Sequence, residues 1–233
     1  STSATISSAV KLAIILFSLR YEWCGCQNVR SHGNAQQGTT THPRHLRIPN
    51  NPAKRFEMTD TLWNFSVATY QRPGVQEACL ALQDNLGADV NILMYCCWRG
   101  ALTKGEFDAL IAALAPWQSP VVSGLRSVRR ALKPMLAELG ELADDAAALR
   151  RKIAGLELEA EKLQQTMLET HAADNPAASP PSPQTAAQNL ALYFQHLQKP
   201  LDGQALGALE TILGAAFPDA DKGGVKAAAA ILS

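Results

Sequence analysis

Residues 135–169 read MLAELGELADDAAALRRKIAGLELEAEKLQQTMLE. Within them, and from Leu125 onward, apolar residues step by three and four without a slip: Leu125, Val128, Leu132, Met135, Leu139, Leu142, Ala146, Leu149, Ile153, Leu156, Ala160, Leu163 and Met167. About six heptads of this kind exceed the three to four that mark a coiled-coil pattern. A helix over 135–169 would be about 52 Å long at 1.5 Å per residue. Pro134 is expected to kink or restart it. The residues proposed to carry self-association are Leu139, Leu142, Leu149, Ile153, Leu156 and Leu163. With Leu139 at position a, Asp145 meets Arg150 and Lys152 meets Glu157 of a parallel partner, which suits a homodimer. The alternatives are packing of the stripe within the chain and a different helical partner.

Working outward, the rest of the chain after about Met58 also reads as helix. Alanine is plentiful and aromatics make up 6% of the residues, a balance that favours helix over strand. Thr59 or Asp60 can cap a first helix carrying Leu62, Trp63, Phe65, Val67 and Tyr70, broken at Arg72-Pro-Gly. Pro73 can open a second helix with Val75, Cys79, Leu82 and Leu86, stopped by Gly87. Asp89 caps a third, whose run Ile92–Trp98 is apolar nearly all round and is therefore the expected central helix. Thr103 and Glu106 form a capping box for a fourth. Ala115-Pro-Trp-Gln is expected to be a break, and Ser119-Pro120 the start of a fifth helix. The expected fold is all-α: a compact bundle of short helices, a long heptad-patterned helix and a C-terminal helical hairpin.

The division expected is a helical domain over 58–133, the long helix over 134–170, a linker over 171–184 and a hairpin with an Ala-rich tail over 185–233. Four prolines between Asn175 and Gln184 exclude a helix interior there. Leu190, Tyr193, Phe194 and Leu197 mark one amphipathic helix after it; Asp202 caps another with Leu206, Leu209, Ile212, Leu213 and Phe217. The tail is expected to be a frayed helix.

Residues 1–57 differ in character. They carry seven Lys/Arg against two Asp/Glu, whereas residues 58–233 carry fourteen against nineteen. The apolar run Ala9–Leu19 is shorter than the roughly 20 residues of a membrane span and lacks the flanks of a secretory signal. Residues 27–57 show no periodicity. The expectation is a non-native or disordered extension, with Met58 the true start. Cys24, Cys26, His32, His42 and His45 match no standard zinc spacing.

Several short segments resemble a family of small bacterial (proteobacterial) proteins catalogued as conserved and of unknown function. They are Leu62-Trp-Asn-Phe-Ser66, Tyr70-Gln-Arg-Pro-Gly-Val75, Cys79-Leu-Ala-Leu-Gln-Asp84, Gly87-Ala-Asp-Val-Asn91 and, at 125–133, LRSVRRALK. The resemblance runs over about residues 58–133 and fades through the long helix. It implies a bacterial cytoplasmic protein starting at Met58, and it supplies no activity, cofactor or catalytic residue.

Chemistry is sparse. No histidine lies between residues 58 and 170, so Cys79, Cys96 and Cys97 lack the usual base beside a nucleophile. Their apolar neighbours suit a structural role. His171 and His196 are expected in or near mobile segments, without a ligand pair. Asp84 and Asp89 are separated by the helix stop at Gly87, so they do not share a helical face. No phosphate loop occurs. No catalytic residue, metal or cofactor is assigned. Two constellations remain. Arg126, Arg129, Arg130 and Lys133 lie at i, i+3, i+4 and i+7 on one helical face, a spacing able to grip phosphates; the bland reading is a solvated face balanced by acids. Asn64, Gln83, Asn91 and Arg99 punctuate apolar helices, either as a structural network or as the lining of a pocket around the helix at 89–99.

Three functions are compatible with these features. The first is a non-enzymatic interaction or assembly module using the coiled-coil helix. The second is a phosphate or nucleic-acid regulator acting through the basic face, which the acidic balance of 58–233 disfavours. The third is an enzyme with a pocket around the central helix.

Overall fold

The structure, a computed structural model, describes residues 61–233. The extension, its cysteine and histidine cluster, the Met58 start and the caps expected at Thr59 or Asp60 lie outside the described residues. Among the described residues every regular element is helical.

The order is α1 (Leu62–Tyr70), α2 (Val75–Leu86), α3 (Val90–Trp98), α4 (Lys104–Trp117), a π-helical stretch (Gln118–Ser123) and α5 (Gly124–Met135). A 3₁₀ turn (Gly140–Leu142) then leads into the long α6 (Ala143–Asp174), followed by α7 (Pro183–Leu197), α8 (Gly203–Ala216), α9 (Lys222–Ala229) and a last 3₁₀ turn (Ala230–Leu232). Local chemistry sets most of the ends. The Thr61 side chain accepts from the Asn64 amide, and Asp89 from the Asn91 amide. Thr103 and Glu106 close a full capping box, and Ser182 with Thr185 closes another. Gly87 ends α2 at φ +73°, a left-handed conformation that costs glycine nothing.

Helix α3 is the hub. Asn91 through Cys97 are all buried, and α3 packs against α1, α6, α7 and α8. One apolar core extends from Leu62 on α1 to Leu232 after α9, with Tyr95, Phe107, Leu168, Tyr193 and Ile212 among its contributors. The Pro-rich segment after α6 crosses close to Gly100, where a Cβ would collide with the Ser179 carbonyl.

Three local expectations change. Ala115–Gln118 is not a break: the helix continues through Pro116 and widens into the π-helical stretch. Pro116 and Pro120 stand four apart and each lacks an N–H, so the α-pattern of bonds cannot be kept between them; a wider turn accommodates both. Ser119 therefore caps nothing. The long helix begins at Ala143 rather than near 135, because Gly140 turns the chain at φ +53°. At 32 residues it is about 48 Å long. The Ala-rich tail is packed, with Val225, Ala228, Ala229 and Leu232 buried and α9 lying on α7 and α8.

Candidate functional site

Helix α6 presents two unlike faces. Its inward face is strongly polar. Glu157, Gln164 and Gln165 are buried there beside Leu158 and Leu168. Helical spacing of 157, 161, 164, 165 and 168 places these residues on one side.

Glu157, Glu161, Gln164 and Gln165 each meet a partner from another element, although Gln165 Oε1 is buried without one. Gln164 donates to Asp89 Oδ2 at 3.0 Å and to Gln118 Oε1 at 2.8 Å, and it accepts from Asn91 Nδ2 at 2.7 Å. Gln165 donates to Asn91 Oδ1 at 2.7 Å and to the Ser66 hydroxyl at 3.4 Å. The amide of Asp89 donates to the Tyr193 hydroxyl oxygen at 2.6 Å. At the end of α4, Trp117 Nε1 donates to the Ala160 carbonyl at 3.0 Å. A chain of hydrogen bonds thus ties α1, α3, the π-helical stretch and α7 to α6. Buried polar groups carry a large desolvation cost unless paired, so this network selects one seating of α6.

The network continues into charge. Arg126 on α5 pairs with Glu157 at 2.9 Å and Glu161 at 2.6 Å, and Arg129 pairs with Glu157. Burial opposes ionisation of Glu157, yet Arg129 and Arg126 hold its carboxyl below the ordinary carboxylate range. Glu161 goes the other way. Burial, with Glu157 and Asp89 nearby, raises its pKa to about 7 against the pull of Arg126.

The four cations read from the sequence therefore separate. Arg126 and Arg129 are drawn into the α5–α6 interface, Arg130 pairs with Asp84 on α2 at 2.7 Å, and Lys133 is exposed. The four polar residues also separate. Asn91 is central to the network, Gln83 is half-buried and Asn64 is exposed. Buried Arg99 donates to the Asn175 carbonyl after α6. A surface cavity of about 560 Å³ does occur, but on α8 and α9, lined by Glu210, Thr211, Lys222 and Val225 among others.

His171 lies within α6, where its Nδ1 is 3.4 Å from the Tyr95 hydroxyl; it is not in a mobile segment. Cys79, Cys96 and Cys97 are buried free thiols, and burial raises all three. Asn189 escaped the sequence reading. Wholly buried on α7, it donates to the carbonyls of Cys96 and Gly100, both at 3.1 Å, and accepts from the Leu102 amide at 3.0 Å. Gln164 and Gln165 were missed too, although their spacing from Glu157 and Glu161 is a visible polar stripe.

The outward face of α6 is apolar along one line. Leu142 just before it, then Leu149, Leu156 and Leu163, are 61%, 51%, 52% and 52% exposed. Leu139 and Ile153, the other residues assigned to self-association, are partly covered. On α5, Val128 and Met135 are exposed as well, and no residue of that helix is buried. The N-terminal turns of α6 likewise bury nothing before Ala154. The pairing of Glu157 with Lys152 of a parallel partner does not survive, because this carboxylate is turned into the Arg126 and Arg129 guanidiniums.

Among the described residues no helix is long and apolar enough to cross a membrane. Residues 61–168 match a family described as "Protein of unknown function (DUF2390)". The match takes in the whole polar seam of α6 as far as Leu168, beyond the reach of the resemblance seen from the sequence alone. No curated protein and no solved structure matches the chain.

Proposed function

We propose that this protein is a non-enzymatic assembly module that self-associates through the outward face of α6. The observation that carries the reading is the row of Leu142, Leu149, Leu156 and Leu163, half or more exposed at seven-residue intervals. A contiguous apolar line of this kind on a helix is a typical partner-binding feature. The polar inward face supports it. Because the network anchors α6 by hydrogen bonds and ion pairs, the leucines are left free for a second surface. Three of the four cations on α5 already face carboxylates, which leaves little for a phosphate-binding reading. Free buried thiols suit a reducing, cytoplasmic setting.

Light scattering on the full chain tests the proposal, at low and high salt. The expected result is a dimer that becomes monomeric when Leu142→Ser and Leu149→Ser are combined. A wild-type protein that stays monomeric at all concentrations would overturn it.

A further inference from the structure

We infer that two copies meet antiparallel, about a two-fold axis beside Leu156, with Lys152 of each copy against Glu159 of the other. This inference rests on the self-association proposed above and adds its geometry.

A parallel pair would need the residues that follow each leucine along one flank, Arg150 and Glu157, to reach a partner. That flank is occupied by α5. Glu157 is held by Arg126 and Arg129, and Arg150 Nε donates to the Arg129 carbonyl at 3.1 Å. A parallel partner would have to displace α5 and strand a buried carboxylate.

The other flank is open. Asp145, Lys152, Glu159 and Thr166 follow the leucines at seven-residue intervals, and all four are exposed. Among the described residues neither Lys152 nor Glu159 takes part in an ion pair. When one flank alone is available, antiparallel pairing is the arrangement that uses it, because there each flank faces its own copy.

The register follows from charge. An axis beside Leu156 sets Leu156 on Leu156, Leu149 on Leu163, Lys152 on Glu159 and Asp145 beside the Thr166 hydroxyl. All four leucines lie within the overlap, and the two-fold repeats each pair. An axis beside Leu149 would instead pair Asp145 with Lys152. It would leave Leu163 uncovered, because the position opposite it falls before the turn at Gly140, outside α6.

Zero-length carbodiimide cross-linking of the full chain, with ¹⁴N and ¹⁵N copies mixed, reads this contact directly. On one helix Lys152 and Glu159 are seven residues apart, about 10.5 Å of rise, beyond an amide link. A Lys152–Glu159 cross-link between differently labelled copies is the expected product. In sedimentation, Lys152→Glu is expected to weaken association on the order of tenfold, since the repulsion is counted twice. Combining it with Glu159→Lys should restore association. A dimer that gives Asp145–Lys152 links, or no restoration in the double variant, overturns this geometry while self-association stands. A wild-type monomer overturns both.

Discussion

Arg126 and Glu157 meet at 2.9 Å across the α5–α6 interface, and the same carboxylate also receives Arg129, so one buried acid gathers two guanidiniums. Glu157 is 3% exposed, and its neighbour Glu161 takes the second arm of Arg126. Replacing Glu157 with Ala strands the Arg129 guanidinium and leaves Arg126 with Glu161 alone. The expected loss is about 3–5 kcal/mol, the usual result of removing one partner of a buried pair. Urea unfolding of wild type and Glu157→Ala measures it; a loss below about 1 kcal/mol would place this pair in the class of exposed bridges.

Glu161 gives a pH signature. Its pKa is raised from 4.5 to about 7 by burial, so the folded protein holds a proton that the unfolded chain has released. Between those values the folded state binds more protons, and stability must fall as pH rises. The Glu161→Gln variant lacks this proton. The difference in unfolding free energy, wild type minus variant, is expected to decline from pH 5 to pH 7 and to flatten above. A difference that stays constant over that window would contradict the assignment.

Asn189 holds the C-terminal end of α3. Its side chain satisfies two carbonyls and one amide that have left the helical pattern. Asn189→Ala strands these buried groups, and a loss of about 1–3 kcal/mol is expected. Hydrogen exchange at Leu102, whose amide donates to Asn189, should accelerate with it.

The two faces of α6 predict opposite responses to similar changes. Leu158 and Leu168 are buried, at 2% and 0% exposure, and truncating either to Ala should cost about 2–5 kcal/mol. Leu149→Ser, on the exposed line, should change the stability of the dissociated chain by no more than about 0.5 kcal/mol. Denaturant titration at concentrations below the dissociation constant separates the two. Equal losses at Leu149 and Leu158 would mean that α6 is seated differently.

Helix ends and helix type were legible in the residues because their causes are local. Gly87, Asp89, Thr103 with Glu106, and Asp202 act within one turn of where they stand, and each acts in the structure as its type requires. The π-helical stretch at 118–123 was not legible. Pro116 read as a break and Pro120 as the first residue of a new helix, whereas the chain stays helical through both, with Trp117 and Gln118 bonded to α6. His171 was equally obscure, since its neighbour Tyr95 is 76 residues away.

From the residues alone it follows that the described part of the chain is helical, where most of its helices begin and end, and that α6 carries leucines at heptad spacing. Those properties depend on backbone geometry and on neighbours three or four residues away. Which side of that helix is buried was decided by tertiary structure alone. Periodicity lets the leucine line face either the core or a second copy, whereas Asp89, Asn91, Gln118, Arg126 and Arg129 converge from three other elements on Glu157, Glu161, Gln164 and Gln165. The hydrogen bonds and ion pairs they complete seat the polar side inward and turn the leucine line out to where a second copy can reach it.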